Sequence, residues 1–220
     1  MIADGDRVLV GVSGGKDSMS LLRLLLHRLG SSHEKYSIWA AHIVGDSRGT
    51  AIGIDSEFRR WLDHQTIPVV VTEMIVPEDE PLPMNCERCS RNRRRTLFQV
   101  ADEIGCNKIA LGHNMEDFAN TALMNLLSSG KLATMAFRRD YFGGKFSVIR
   151  PLSYISEHDL ARFAKSCAFP VMEAKCPLAA TSRRKAARDI MRSISREFKW
   201  AGVNLVRAAR ASEGLESDLK

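Results

Sequence analysis

Long hydrophobic runs are absent from this chain of 220 residues. The longest apolar stretch, around Leu21 to Leu26, is interrupted by Arg23 and is too short to cross a bilayer. The first residues also lack the apolar segment of a secretory signal peptide. We therefore expect a cytoplasmic protein with no membrane association. Internal repeats and low-complexity tracts are absent too, and 45% hydrophobic residues suffice for one large domain with a small appendage.

Cysteine is scarce. The chain has five cysteines, an odd number without a secretion signal, which favours free thiols or metal ligands over disulfides. They are Cys86, Cys89, Cys106, Cys167 and Cys176. The first two form a C-x-x-C pair, and no second pair accompanies it. A closed four-cysteine zinc site is therefore not expected.

The common P-loop of nucleotide hydrolases is also missing, because Val10 stands where its first glycine should be and Asp17 where a Ser or Thr should hold magnesium. The segment Gly11–Ser18 instead reads G-V-S-G-G-K-D-S, between an apolar run and the helical stretch Met19–Leu29. A strand that enters a glycine turn and then a helix presents backbone N–H groups and a positive helix end to phosphate. The alternative is a glycine turn without a ligand.

Apolar, β-branched runs alternate with helical patterns along the chain. The predicted strands are Arg7–Val12, Tyr36–Val44, Ile67–Met74, Asn107–Leu111 and Phe146–Arg150. The predicted helices are Asp17–Leu29, Ile54–His64, Arg91–Ile104, Glu116–Leu127, Glu157–Ala168, Ala179–Lys199 and Val203–Ala211. This alternation predicts an α/β fold with a doubly wound, mostly parallel sheet. We assign residues 1–175 to that domain and residues 176–220 to a basic helical extension packed on it.

Polar residues follow three of the predicted strands, at Ser13–Ser18, Gly45–Arg48 and Gly112–Asp117. In parallel sheets, ligands collect at the carboxyl ends of the strands, near the point where strand order reverses. These segments are therefore the expected ligand site. The stretch Pro77–Asn85, with three prolines and three acidic residues, is expected to be an irregular loop that leads to Cys86.

The spacing of Cys86 and Cys89 lets two thiolates reach one metal centre, at the end of a loop just before an arginine-rich helix. Cys176 is the remaining cysteine in a loop-like setting, so the three would leave one coordination position open. That arrangement suits a catalytic zinc or an iron-sulfur cluster, with a redox dithiol as the competing interpretation of the pair. Cys106 and Cys167 are expected to pack as small hydrophobic residues.

Positive charge is concentrated in two segments, although the net charge is only +6. Their members are Arg88, Arg91, Arg93, Arg94 and Arg95 in the first, and Arg183, Arg184, Lys185, Arg188 and Arg192 in the second. Such clusters supply the phosphate contacts of a nucleic-acid partner. A solvated helix face is the alternative.

Four sequence segments together resemble the tRNA 2-thiocytidine synthetase family, PP-loop enzymes that thiolate tRNA bases. They are G-D-R-V-L-V-G-V-S-G-G-K-D-S, C-E-R-C-S-R-N-R-R-R, K-I-A-L-G-H-N-M-E-D-F-A-N-T-A-L-M-N-L-L-S-S-G-K and V-I-R-P-L, and the resemblance covers about residues 4 to 215. It implies the fold of the adenine nucleotide alpha hydrolases. The implied reaction is ATP-dependent 2-thiolation of a tRNA base through an adenylated intermediate, with release of AMP and pyrophosphate. The implied partners are tRNA and a sulfur donor, either a cysteine desulfurase or sulfide, and a homodimer is left open.

The resemblance also assigns roles to individual residues. ATP phosphates would be held by Ser13, Gly14, Gly15, Lys16, Asp17 and Ser18, with Gly112 and His113 completing the nucleotide site. Lys16, Asp17 and Asp117 would be catalytic, with Asp17 at Mg²⁺, and a 4Fe-4S cluster would sit on Cys86, Cys89 and a later cysteine, for which we take Cys176. The tRNA contacts would come from Arg91, Arg93, Arg94, Arg95, Arg183, Arg184, Lys185 and Arg188.

The chain departs from the family pattern at three places. Glu116-Asp117 stands for a paired Asp-Asp, Asn120-Thr121 for Glu-Thr or Gln-Thr, and Cys176 alone for a second C-x-x-C. Two other functions stay open. One is a different PP-loop chemistry, such as lysidine-type ligation or adenylation of a small metabolite, which needs no C-x-x-C. The other is a non-catalytic module that binds nucleotide or RNA.

Overall fold

A computed structural model describes residues 1–50, 53–170 and 182–212. Its centre is one sheet whose order is β3-β2-β1-β4-β6-β5, parallel throughout except for the antiparallel edge strand β5. The strands are β1 Arg7–Gly11, β2 Ser37–Val44, β3 Val69–Glu73, β4 Lys108–Leu111, β5 Arg138–Tyr141 and β6 Phe146–Ile149. The predicted α/β fold with a doubly wound, mostly parallel sheet is confirmed.

Helices follow most strands. They are α1 Lys16–Ser31, α2 Ser56–Asp63, α3 Cys86–Glu103, α4 Met115–Ser129, α5 Glu157–Ser166, α6 Arg183–Glu197 and α7 Ala201–Ser212, with a 3₁₀ turn at Phe142–Gly144. Within the described ranges, no helix is long and apolar enough to span a membrane.

Both faces of the sheet are covered, which explains why the central strands read as continuous apolar runs. In β1, the residues Val8, Leu9 and Val10 are all fully buried. Val8 and Val10 pack into a cluster with residues of α1, α2 and α5, whereas Leu9 packs on the opposite face with residues of α3. Burial on two sides therefore fixes the sheet between helical layers.

The two C-terminal helices pack against α4 and against each other. Phe118 and Leu123 of α4 form a separate apolar cluster with Met191 of α6 and Val206 of α7. Helix α6 begins after Ser182, whose side chain caps the main-chain N–H of Lys185. The helical prediction for this region is confirmed over the residues that the structure describes, and residues 171–181, which include Cys176, lie outside them. The proposed boundary between residues 175 and 176 therefore stays a prediction.

Strand β5 is the element that the sequence pattern did not indicate. Its residues, R-R-D-Y, are exposed or half-buried and show no apolar alternation. The strand exists because β6 offers it an edge for antiparallel pairing, with Arg139 opposite Val148 and Tyr141 opposite Phe146. Pairing of this kind depends on the tertiary structure and leaves little trace in local sequence.

Strand order reverses between β1 and β4. From β1 the chain proceeds outward through β2 to β3, and it then returns to place β4 on the other side of β1. The segments that follow β1 and β4 thus leave the sheet side by side at its carboxyl edge, where doubly wound folds bind ligands.

Candidate active site

The loop after β1, residues Ser13–Ser18, is arranged to hold phosphate, and we call it the phosphate cradle. Gly14 has a φ of +85°, a left-handed conformation that favours glycine. Ser18 Oγ accepts a hydrogen bond from the Ser13 main-chain N–H at 3.0 Å and donates one to the Gly15 carbonyl at 2.9 Å, which closes the turn. Gly15 is the N-cap of α1 and supplies no side-chain cap. Main-chain N–H groups in the first turn of α1 therefore remain available to donate hydrogen bonds to an anion.

Gly112 lets the segment after β4 approach this loop closely. A Cβ atom at Gly112 would lie 2.9 Å from both Cα and the main-chain N of Ser18, closer than real Cβ atoms come to backbone. Any larger residue would push the end of β4 away from α1. The family resemblance placed Gly112 in the nucleotide site, and the structure gives the steric reason for a glycine there.

Lys16 and Asp17 form an ion pair at the start of α1. Lys16 Nζ lies 3.1 Å from the Asp17 carboxylate and 3.1 Å from Oε1 of Glu157 in the first turn of α5. Burial opposes the charge on Lys16, but the two carboxylates raise its pKa. The lysine is therefore a fixed cation at the cradle.

Burial raises the pKa of Asp17, although Lys16 counteracts the rise. Asn114 Nδ2 donates to Asp17 Oδ2 at 3.3 Å, and the buried Oδ1 lies 3.1 Å from the Lys16 ammonium. Carboxylate oxygens are the protein ligands that a hard cation such as Mg²⁺ prefers. Asp17 thus fits one ligand position of Mg²⁺, which usually takes one or two carboxylates and completes its shell with water and phosphate oxygens.

Asp117 lies one turn into α4 and helps to fix where that helix starts. Its Oδ2 accepts from the Asn114 main-chain N–H at 3.1 Å, while Asn114 Oδ1 accepts from the Asp117 N–H at 3.0 Å. This reciprocal cap holds Asn114 against Asp17. The contact gives Asp117 a positioning role, and its catalytic role remains a prediction.

His113 follows Gly112 at the same edge of the sheet. Burial and the nearby charges of Arg150, Arg184 and Arg94 lower its pKa to about 3, so its imidazole is neutral at neutral pH. The buried Nδ1 has no hydrogen-bond partner within the described part of the chain. Arg94 belongs to α3 and Arg184 to α6, so each basic segment has one residue close enough to act on the charge of His113.

Cys86 and Cys89 lie in the first turn of α3, and the expectation that they precede the helix on an extended loop is wrong. The helix begins at Cys86 because Asn85 caps it, accepting from the Arg88 N–H at 2.9 Å. Residues three apart share one helix face, and a helix N-terminus favours thiolates. Cys86 is exposed and Cys89 half-buried. The pair is therefore accessible and suited to hold an anionic cluster.

Three contacts fix the first half of α3 at the carboxyl edge of the sheet. Arg93 donates to the carbonyls of Ile43 and Gly45, at the end of β2, at 2.7 Å each. Asn92 donates to Glu80 at 3.0 Å, which ties α3 to the loop before it. The loop Pro77–Asn85 is irregular, as predicted. The first turn of α3, which carries Cys86 and Cys89 and which we call the cysteine turn, lies at the same edge of the sheet as the phosphate cradle. Arg93 is thus a structural residue as well as a predicted tRNA contact.

The other cysteines are distributed as follows. Cys106 is buried in the apolar cluster around Leu9, and burial raises the pKa of its thiol to about 11, which confirms a packing role. Cys167 is half-buried at the end of α5. Cys176 lies outside the described residues, so its part in a cluster stays a prediction. Within those residues, no group of three His, Cys, Asp or Glu side chains could hold a metal ion.

Comparison with known proteins assigns the family. A model of the PP-loop domain matches residues 3–193. The chain belongs to the PP-loop family. This PP-loop protein is 33% identical over 212 residues to the tRNA-cytidine(32) 2-sulfurtransferase of Geobacter sulfurreducens, covering 94% of this chain and 82% of that protein. It is 35% identical over 201 residues to the enzyme of the same name from Citrifermentans bemidjiense, covering 90% of this chain and 79% of that one. The resemblance to this family is confirmed.

A solved structure confirms the fold of the PP-loop protein. The U34-tRNA thiolase NcsA from Methanococcus maripaludis, described with its [4Fe-4S] cluster, superimposes with a TM-score of 0.74 over 98% of this chain and 73% of that one. The sequence identity is 21%, so the likeness concerns the arrangement of helices and strands.

The basic residues of the PP-loop protein differ in how firmly they are held. Arg91 and Lys185 are exposed, and each forms an i,i+4 ion pair within its own helix, Arg91 with Glu87 and Lys185 with Asp189. Exposed ion pairs of this kind contribute little to stability and break easily. The charges of Arg188 and Arg192 contribute, after Lys16, to holding the pKa of Glu157 below its usual range in spite of burial. Helix α6 therefore directs positive charge toward the phosphate cradle.

A cleft of about 640 Å³ opens beside Lys16, between the N-terminal parts of α4 and α5 and the basic face of α6. Glu157, Asn120 and Arg196 line it, and the sequence motifs assigned none of them to the site. Glu157 could have been noticed from Ser156, the N-cap that starts α5. Asn120 stands at a position of the family pattern, but only the packing of α4 against α6 turns it toward the cleft.

Proposed function

We propose that this PP-loop protein is an ATP-dependent tRNA sulfurtransferase that forms 2-thiocytidine and splits ATP into AMP and pyrophosphate. The observation that carries the proposal is the cradle Ser13–Ser18, which departs from the Walker pattern and lies against Gly112 at the strand-order reversal. The names of relatives that align with 90% or more of the chain support the substrate.

The residues present suit activation of a base carbonyl. A carbonyl oxygen of cytosine is a poor leaving group, and its adenylation converts it into AMP. Lys16 and the N–H groups of the cradle neutralise charge on the departing pyrophosphate, which is transition-state stabilisation by groups already in place. When bound at Asp17, Mg²⁺ would add charge neutralisation on the phosphates.

We assign the sulfur chemistry to the cysteine turn. Cys86, Cys89 and, in our proposal, Cys176 would hold a 4Fe-4S cluster whose open position supplies sulfide, delivered by a cysteine desulfurase or as free sulfide. The first two cysteines fit this group because they share one face at a helix N-terminus. Since Arg93 fastens α3 to the end of β2, the cysteine turn and the cradle share one edge of the sheet, and this favours sulfur transfer through proximity.

The direct test is the reaction itself. Anaerobically prepared protein is incubated with ATP, Mg²⁺, a sulfide source and unmodified tRNA, and nucleotides and digested tRNA are quantified by mass spectrometry. We expect AMP and pyrophosphate in equal amounts, together with 2-thiocytidine at position 32, the position in the relatives' names. ADP and inorganic phosphate as products would contradict the proposal.

Adenylation of a small metabolite is disfavoured by the convergence of two basic helices. The charges of Arg94 in α3 and Arg184 in α6 both act on His113, so each of the two basic helices places positive charge near the site. An extended polyanion can contact both, with a loop base turned out of its stack into the site.

Removing exposed positive charge should weaken tRNA binding and leave ATP binding unchanged. The variant carries four substitutions to Ala, at Arg91, Arg95, Arg184 and Lys185. Arg93 is left intact because it holds β2. Affinity for tRNA should fall at least about tenfold near 0.1 M salt, and the slope of log K against log salt should decrease by about one for each phosphate that the variant no longer binds.

A matched variant controls for net charge. It removes four exposed arginines from the outer surfaces of α1 and α2, by substituting Ala at Arg23, Arg28, Arg59 and Arg60. We expect its tRNA affinity and salt slope to resemble those of the unaltered protein. If both quadruple variants bind tRNA alike, the predicted interface is wrong.

A further inference from the structure

The walls of the cleft beside Lys16 differ in chemistry. One wall belongs to α4 and presents Glu116, Ala119 and Asn120, and the opposite wall is the face of α6 that carries Arg188 and Arg192. A nucleotide has the same two-sided character, with neutral base edges that offer hydrogen bonds and a phosphate that attracts cations. The cleft is thus matched to one nucleotide of a chain whose phosphates face α6.

Asn120 has unused hydrogen-bonding capacity in this cleft. Only 6% of its surface is exposed, and no described residue forms a hydrogen bond with its side-chain amide. Its amide atoms are not among the fully buried polar atoms without a partner, so they face the water of the cleft. A ligand that enters the cleft can replace this water and form hydrogen bonds with the amide directly.

Glu116 lies one helical turn before Asn120, so the two side chains are neighbours on α4. Its Oε2 accepts from the Glu157 main-chain N–H at 2.7 Å, which holds the carboxylate toward the cleft. A carboxylate has about four lone-pair sites, and one bond leaves it able to accept further hydrogen bonds. The pair therefore offers an acceptor next to an amide that can donate.

We propose that Glu116 and Asn120 read the Watson–Crick edge of the target cytosine. Glu116 accepts from the exocyclic N4 amino group, the usual carboxylate contact to cytosine, and Asn120 donates to ring N3. Uracil is disfavoured because it places its O4 acceptor against the Glu116 carboxylate. The proposal rests on the proposed function and names the residues that would set its base preference.

Phosphate or pyrophosphate is a poorer occupant of the α4 wall. Glu116 and Glu157 line that side, and the Lys16 ammonium, 3.1 Å from Glu157, is partly neutralised by it. Anions would be repelled there and attracted to α6. A neutral base with one amino group meets no such repulsion.

Two substitutions change the proposed hydrogen bonds in favour of uracil without enlarging the side chains. Glu116→Gln supplies an amide that can donate to uracil O4. Asn120→Asp presents only acceptors, which suit the N3–H of uracil and repel the N3 of cytosine. In a competition between two tRNAs that differ only in cytidine or uridine at the target position, each variant should shift the product ratio toward uridine by at least about tenfold.

The control is Asn125→Asp, the same substitution on the same helix. The Asn125 amide donates to the Ala133 carbonyl at 2.8 Å and does not line the cleft. Its product ratio should equal that of the unaltered protein. Because both tRNAs react in one tube, the ratio does not depend on the fraction of folded enzyme.

The outcomes separate the inference from the function on which it rests. If the unaltered protein thiolates cytidine preferentially but both cleft variants keep its ratio within twofold, the base-reading role is overturned and the function stands. A change of ATP affinity in the cleft variants equal to their loss of thiolation would assign the cleft to ATP and also overturn it. If the unaltered protein forms no thiolated base, the proposed function and the inference fail together.

Discussion

Replacing Lys16 by Ala should lower the rate of AMP formation by about 10²–10³-fold. Lys16 is the cation at the cradle, and the Asp17 and Glu157 carboxylates at 3.1 Å keep it protonated. Its removal takes a positive charge from the departing pyrophosphate and leaves the two acids unneutralised. AMP formation in the presence of tRNA is measured by quenched-flow chromatography.

Asp17→Asn should reduce the same rate to a similar degree, because the substitution removes a carboxylate charge suited to Mg²⁺. Lys35→Ala is the matched control, since Lys35 is exposed just before β2. We expect near-normal turnover from the control and unchanged tRNA affinity in all three variants. A Lys16→Ala protein within threefold of the unaltered rate would remove Lys16 from the reaction.

Loss of either cysteine of the helical turn should abolish the cluster. Cys86→Ala and Cys89→Ala each remove one thiolate of the pair that shares one face of the first turn of α3. Visible absorption, iron and acid-labile sulfide should therefore all fall to background. Thiolation should disappear with them. Proteins are purified anaerobically, and iron, sulfide and zinc are quantified against protein concentration.

Cys106→Ala is the control for this series because Cys106 is 3% exposed and packs in the core. It should keep the full cluster and lose some stability through a small cavity. Cys176→Ala should bleach the cluster, whereas Cys167→Ala should not. The reverse result for these two would correct the third ligand, and stoichiometric zinc in place of iron would contradict the cluster.

Local sequence was sufficient for the phosphate cradle. The turn of Ser13–Ser18 is closed by hydrogen bonds between residues at most five positions apart, such as the one between Ser13 N and Ser18 Oγ. Gly14 and Gly15 provide the turn and the open helix start. A pattern whose structure depends on neighbours in the chain can be read without knowledge of the fold.

The start of α3 and the lining of the cleft could not be read from local sequence. The basic run after Cys89 suggested a helix from Arg91, but the Asn85 cap starts it five residues earlier, at Cys86, so Cys86 and Cys89 share a helical face. A single capping residue is a weak signal beside three prolines in the preceding loop. The orientation of Asn120 toward the basic face of α6 depends on residues some seventy positions away.

The sequence by itself determined the alternation of strands and helices, the cradle chemistry of Ser13–Ser18 and the pairing of Cys86 with Cys89, because each follows from periodicity or close spacing. The tertiary structure decided which distant groups meet. Lys16 forms an ion pair with Glu157, and Gly112 lies against Ser18. Such contacts arise when strand order reverses between β1 and β4 and parallel strands deliver their ends to one edge. Their physical origin is long-range packing, which local spacing does not encode.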